Sequence, residues 1–257
     1  MSLFNENLKK ITLKELCSLI IILFLIQFLI NSLTNVKINS FWICIFIIFY
    51  FAYKLRHSYL SFKEEIYNLF STIPFNTIFW IVLLNIFLSY GFLYLSDFIL
   101  DAFPNLNSLM NVSLSSIYLN NSIIALGGFI VTVFISPISE ELIFRGVLLN
   151  RLKLVVPTIF SLFVTSLLFA SMHSFGSIVS AFIFALCMGI LYIKTENIFV
   201  PMFAHFLNNF LAQLIVFVDV NEMLFTNNFI IVIMSLLAVV SFVIVSLSIL
   251  KEVNFIK

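Results

Sequence analysis

Long apolar runs separated by short polar breaks are the dominant pattern of this chain. Eight runs approach the 20 residues or so that a bilayer-crossing helix needs: 16–34, 38–55, 75–95, 122–144, 156–172, 177–193, 198–218 and 229–250. The second and sixth are at the short end of that range. The pattern predicts an all-α, polytopic membrane protein built as a bundle of about eight transmembrane helices. There is no Pro- or Gly-rich linker, no internal repeat and no low-complexity tail, so one membrane domain is expected.

Composition agrees with this. Of 257 residues 62% are hydrophobic and only 10% charged, with 33 phenylalanines; a soluble domain is nearer half apolar and a quarter charged. The net charge of +1 by itself argues neither for nor against a nucleic-acid partner. The expected partners are the lipid bilayer and a peptide or membrane-protein substrate, with no nucleic acid, and the oligomeric state is left open. Cys17, Cys44 and Cys187 lie far apart in apolar runs, so they are expected to be buried packing thiols rather than a disulfide framework or zinc site.

The placement of the charges tests the span count. With the N-terminus inside, the inner segments hold Lys9, Lys10, Lys14, Lys54, Arg56, Lys63, Arg145, Arg151, Lys153, Lys194, Lys251 and Lys257, while Lys37 alone lies outside. That is 12 of the 13 basic residues on one side, as the positive-inside rule requires. The expected location is the cell membrane, with multiple passes and both termini cytoplasmic. The first span reads as uncleaved, because no small-residue cleavage site follows it. Segment 54–65 reads as a solvated face near lipid headgroups. The outer segment 96–121 is either an amphipathic interfacial piece or a plain loop.

Few polar groups interrupt the runs. Glu140 and Glu141 end the run from Ile123 to Ile138, and ionisable groups near bilayer depth persist mainly where they pair or work. On a helix Glu141 and Arg145 are i and i+4, the favourable order for an ion pair, while Glu140 points about 100° away. Pro137 is placed to kink this helix just before the acids. Phe169 and His173 share one helix face, as do His205 and Asn209, and Asn208 and Gln213 lie close by. Each piece has a plainer reading: surface acids, a packing histidine, or helix–helix hydrogen bonding.

Taken in order, Glu140-Glu141-x-x-x-Arg145, Phe169-x-x-x-His173 and His205-x-x-x-Asn209 resemble the CPBP family of intramembrane proteases (CAAX protease and bacteriocin-processing, or Abi), which includes proteins similar to type II CAAX prenyl endopeptidases. The resemblance covers roughly 122–218. It implies three regions: helices 1–3 and the outer loop at 1–121, a protease core of helices 4–7 at 122–218, and helix 8 at 219–257. It also implies an endopeptidase acting near or within the membrane, with Glu140 as general base, His173 positioning water, and His205 and Asn209 as oxyanion donors. Glu141, Arg145 and Phe169 would support them. The biological settings it suggests are peptide maturation, bacteriocin immunity and regulated proteolysis.

The motif types fit a water-activating hydrolase, and neither a G-x-S-x-G nor an H-E-x-x-H stretch is present. Glu140, His173 and His205 are also the ligand types of a catalytic zinc site, so zinc is a possible cofactor. The metal-free form is favoured on two grounds. A metal on Glu140 would leave as base only Glu141, which is tied to Arg145, and Asn209 is a poor zinc ligand. By helical rise, His173 falls about 25 Å from the inner side, against about 10–20 Å for His205 and Asn209. The site therefore forms only if the fifth span tilts or begins in the interface. Two rival functions are a non-catalytic peptide-binding immunity or sensor protein and a transporter.

Overall fold

The computed structural model describes residues 3–34, 41–67, 69–103, 126–219 and 221–255. These residues are helical throughout, with turns and no strand among them. A short helix α1, Leu3–Lys10, precedes α2, Leu13–Leu33, and α3, Phe41–Lys54. Then come α4, Tyr59–Tyr67, and α5, Phe75–Ala102. An unbroken helical path over 126–152, here α6, leads to α7, Thr158–Ala170, α8, Ile178–Thr195, α9, Phe199–Val218, and α10, Asn228–Phe255.

Among the described residues five helical segments are long and apolar enough to cross a membrane: α2, α5, α8 with the turn before it, α9 and α10. A sixth is reached if α3 and the helix after it, bent by 63°, count as one span. The described residues are thus those of an all-helical, multi-pass membrane protein, and among them the expected count of eight crossings is not confirmed. Two further helices fall outside that count. The 126–152 path is divided by two wider π-helical stretches, and α7 has only 13 residues, a rise of about 20 Å against a hydrocarbon core of about 30 Å.

Polar contacts gather the helix ends that the charge pattern assigned to one side. Lys54 at the end of α3 pairs with Glu15 at the start of α2, at 2.9 Å, and Lys194 at the end of α8 with Glu252 at the end of α10, at 2.8 Å. Arg151 at the end of α6 donates to the carbonyls of Lys10 and Ile11. At the opposite end Tyr94 donates to the Leu224 carbonyl at 2.7 Å. Segment 54–65 is more than a solvated face, because α4 packs beneath α1 through Phe4 N–H to Ser61 and Asn7 to Ser58.

The core sits around α8. Its most apolar stretch is 67% buried, against 11% for α2, so α8 is central and α2 faces lipid. Close approach needs glycine where α5 crosses α10, since a Cβ on Gly91 would overlap the Cβ of Ala238, while one on Gly189 would meet the end of the Leu162 side chain of α7. The three cysteines are unpaired, but Cys17 is exposed on α2 and Cys44 is partly so; of the three expected packing thiols, Cys187 alone is fully buried. Of the outer segment, 96–102 continues α5 as helix, and 104–121 lies outside the described residues.

Candidate active site

The site is built on a distorted helix. In α6 the Val131–Ile135 stretch is π-helical, and the Ser136 N–H reaches back to the Val131 carbonyl. The next carbonyl, Thr132, has thereby lost its ordinary i+4 donor. Its i+5 residue is Pro137, which has no N–H. Thr132 is left with an open acceptor inside the bundle, and the Asn209 side chain of α9 fills it, Nδ2 donating at 2.8 Å. Single-turn π-helical widenings often mark functional sites, and here a second one, Leu142–Leu149, follows directly after the acids. Asn150 caps that stretch, with Nδ2 donating to the Arg145 and Gly146 carbonyls at 3.0 and 2.9 Å and lying 2.7 Å from the Tyr192 hydroxyl.

Between the two π stretches stand the adjacent acids, which take different partners. Glu141 is fully buried, and its Oε1 accepts from Arg145 Nη1 at 2.9 Å and lies 2.9 Å from His205 Nδ1. Arg145 also donates through Nη2 to the Ala185 carbonyl of α8 at 3.0 Å and lies over the Phe169 ring at 5.0 Å. Arg145 therefore ties α6, α7 and α8 together from one guanidinium. Glu141 Oε2 is buried with no hydrogen-bond partner among the described residues. Glu140 is the more open acid, with 22% of its side chain exposed, and its Oε2 lies 3.8 Å from His205 Nε2. That separation is too long for a direct hydrogen bond and short enough for a small bridging group.

The expected depth mismatch between the histidines is absent. Helix α7 ends at Ala170, and a turn closed by His173 N–H to the Ala170 carbonyl carries His173. Phe169 lies against both imidazoles, at 4.8 Å from the His173 ring and 5.8 Å from the His205 ring, and Phe184 packs against His205 at 5.3 Å. His173 Nδ1 is 3.0 Å from the Phe169 carbonyl. Among the described residues no hydrogen bond or ion pair joins His173 to Glu140. The structure thus gathers Glu140, Glu141, Arg145 and His205 tightly, sets His173 beside them across Phe169, and places Asn209 one helical turn beyond His205.

As placed, Glu140, His173 and His205 do not form a three-ligand metal set; no group of three His, Cys, Asp or Glu side chains among the described residues does. Sequence reasoning missed the Glu141–His205 contact, the carbonyls of Thr132 and Ala185, and the buried residues Asn150 and Asn85. An amide in the middle of the apolar stretch of α5 was the available signal for Asn85. Asn208, with its helix–helix bonding in view, does bond across helices, accepting from Asn85 at 2.9 Å.

No curated protein and no solved structure matches the chain. A family model described as Type II CAAX prenyl endopeptidase Rce1-like matches residues 122–211. That segment carries all seven motif residues, from Glu140 to Asn209, and it is similar to the Rce1-like type II CAAX prenyl endopeptidases.

Proposed function

We propose that this chain is a glutamate-type intramembrane endopeptidase that hydrolyses a peptide bond near or within the membrane. The observation that carries the reading is the division of two acids between the two nitrogens of one imidazole. Glu141, held by Arg145, engages Nδ1, while the more open Glu140 stands 3.8 Å from Nε2. Glu140 takes a proton from a water that His173 helps to place, and the resulting hydroxide attacks the scissile carbonyl. The carbonyl π pair moves onto oxygen. His205 Nε2–H and the second Nδ2–H of Asn209 donate to that oxyanion. Glu140 then returns the proton to the departing amine. Glu141 holds the His205 ring through Nδ1, which leaves Nε2 turned toward Glu140 and the reacting carbonyl.

The match to prenyl endopeptidases supports a substrate with a lipidated or strongly apolar peptide end; the settings we propose are peptide maturation, bacteriocin immunity or regulated proteolysis. The topology we propose keeps eight crossings, with 126–152, α3 and α7 added to the five long helices and both termini cytoplasmic. Reporter fusions after Thr34, Asn111 and Asn221 should report outside, and those after Ser61, Lys153 and Lys257 inside. An outside signal at Lys153 removes the eight-crossing topology.

The test of the chemistry is purified protein in nanodiscs against two fluorogenic peptides, one ending in a farnesylated CaaX sequence and the same peptide unmodified, beside peptidomics of cells carrying wild type or Glu140→Gln. Cleavage should vanish in Glu140→Gln, His173→Ala and His205→Ala while each variant still inserts. Wild-type turnover in Glu140→Gln sinks the assignment. Metal analysis of chelator-washed protein decides the subtype, since one zinc per chain with activity restored by zinc would replace the glutamate reading.

A further inference from the structure

Three asparagines on two apolar helices form a chain that ends in the site. Asn85, midway along α5 and 6% exposed, donates through Nδ2 to Asn208 Oδ1 at 2.9 Å. Asn208 donates through Nδ2 to Asn209 Oδ1 at 3.3 Å, and Asn209 donates through Nδ2 to the Thr132 carbonyl at 2.8 Å. The surrounding α5–α9 contact is apolar, with Leu84, Leu88, Ala204, Leu207 and Leu211 in one cluster. Asn85 lies outside the matched segment 122–211.

Packing does not account for an amide at this point. Asn85 Oδ1 is buried and has no hydrogen-bond partner among the described residues, and such a group destabilises relative to an apolar side chain of similar volume. What Asn85 contributes is one donated bond, and that bond orients Asn208. Asn208 in turn fixes Asn209. Rotating the Asn209 amide by 180° would set its oxygen against the Thr132 carbonyl and its NH₂ against that of Asn208, two repulsive contacts. The amide is therefore held in one orientation, with one Nδ2–H on Thr132 and the other uncommitted. A donor for a transient negative charge acts best when it is oriented before the charge forms.

We propose that Asn85 and Asn208 are positioning residues that lock the Asn209 amide, so that its uncommitted N–H is ready for the developing oxyanion. The proposal rests on the proposed function for Asn209's role; the lock itself has a readout that needs no substrate. The experiment compares wild type, Asn85→Leu, Asn209→Ala and the double variant in nanodiscs with the two fluorogenic peptides above. In parallel, side-chain amide exchange is followed by NMR on protein labelled with ¹⁵N-asparagine. Asn85→Leu should lower kcat about tenfold with KM within twofold, since misorientation of a reacting group acts on the chemical step. Its melting temperature should hold or rise. Asn85→Leu should cost nothing further in the Asn209→Ala background, and Asn209 side-chain amide exchange should speed up in Asn85→Leu. Unchanged Asn209 exchange in Asn85→Leu overturns the lock whether or not either peptide is cut. Wild-type kcat in Asn85→Leu beside an impaired Asn209→Ala overturns it too. Full kcat in Asn209→Ala instead overturns the proposed role of Asn209 and leaves the lock to be decided by the exchange rates.

Discussion

A basic side chain meets a glutamate in two regions of this molecule with opposite consequences. At one end of the bundle Lys194 and Glu252 pair at 2.8 Å with side chains 52% and 31% exposed. Within it Arg145 and Glu141 pair at 2.9 Å with side chains 3% and 0% exposed. Distance does not separate them, but surroundings do. An exposed pair trades one set of solvated contacts for another and contributes about 0–1 kcal/mol. A buried pair is costly to assemble, and losing either partner strands a charge at a cost of about 3–5 kcal/mol. The buried pair also has further bonds, to His205 and to the Ala185 carbonyl, so it organises three helices and a candidate catalytic imidazole. The Lys194–Glu252 pair joins two helix termini at the exposed end of the bundle. An ion pair is therefore informative here through its neighbours, not its length.

The largest break in that comparison is expected from Arg145→Ala. It leaves Glu141 buried with His205 as its remaining partner, and the destabilisation should be about 3–5 kcal/mol, read as lost accumulation and a lower melting temperature in detergent. Arg145→Lys should recover only part, because one ammonium cannot reproduce the guanidinium's two directed bonds to Glu141 and Ala185. A melting curve for Arg145→Ala that overlays wild type would mean that the two regions do not differ.

Next comes Glu141→Gln, which keeps the shape and removes the charge. Each charge-assisted bond is worth about 1.5–3 kcal/mol, so stability should fall by a few kcal/mol at most. The kcat should fall about 100-fold with KM little changed, in the range seen when an oriented donor is lost. Equal loss of stability with full turnover would reduce Glu141 to scaffold.

Pro137→Ala should act through the backbone. Alanine restores an N–H at the position that leaves Thr132 open, so the Thr132 carbonyl regains a donor and Asn209 is released. A fall of about tenfold in kcat is expected, as for other small misplacements near a reacting centre, with faster Asn209 amide exchange. Unchanged exchange would show that Thr132 does not depend on Pro137. The smallest effect is assigned to Lys194→Ala, at most about 1 kcal/mol and no change in kcat; a loss as large as that of Arg145→Ala would erase the distinction between the regions.

Much of the architecture was legible in the residues alone. Apolar runs place the long helices, closely at 198–218 against the observed Phe199–Val218 and less so at 75–95 against Phe75–Ala102, because hydrocarbon demands both length and apolarity. The spacing of Glu141 and Arg145 predicted their pair, since an i, i+4 contact is local geometry. Two local features were harder to read. The short α7 was marked as a span of 17 residues at 156–172 but holds helix only over Thr158–Ala170. The π stretches leave the hydropathy pattern unchanged, because a wider turn has the same composition.

By itself the sequence determined an all-helical membrane protein, the order of its helices and the seven residues that carry the family motif. Only the tertiary structure decided how those residues are used. It assigned Glu141 to His205 as well as to Arg145, brought both histidines against Phe169 despite their unequal distances along their helices, and joined Asn85 to Asn209 through Asn208. The physical reason is range. Burial preference and i, i+4 pairing act within a few residues of chain. Which nitrogen of His205 meets which carboxylate depends on how α6 and α9 pack, over a separation of 64 residues.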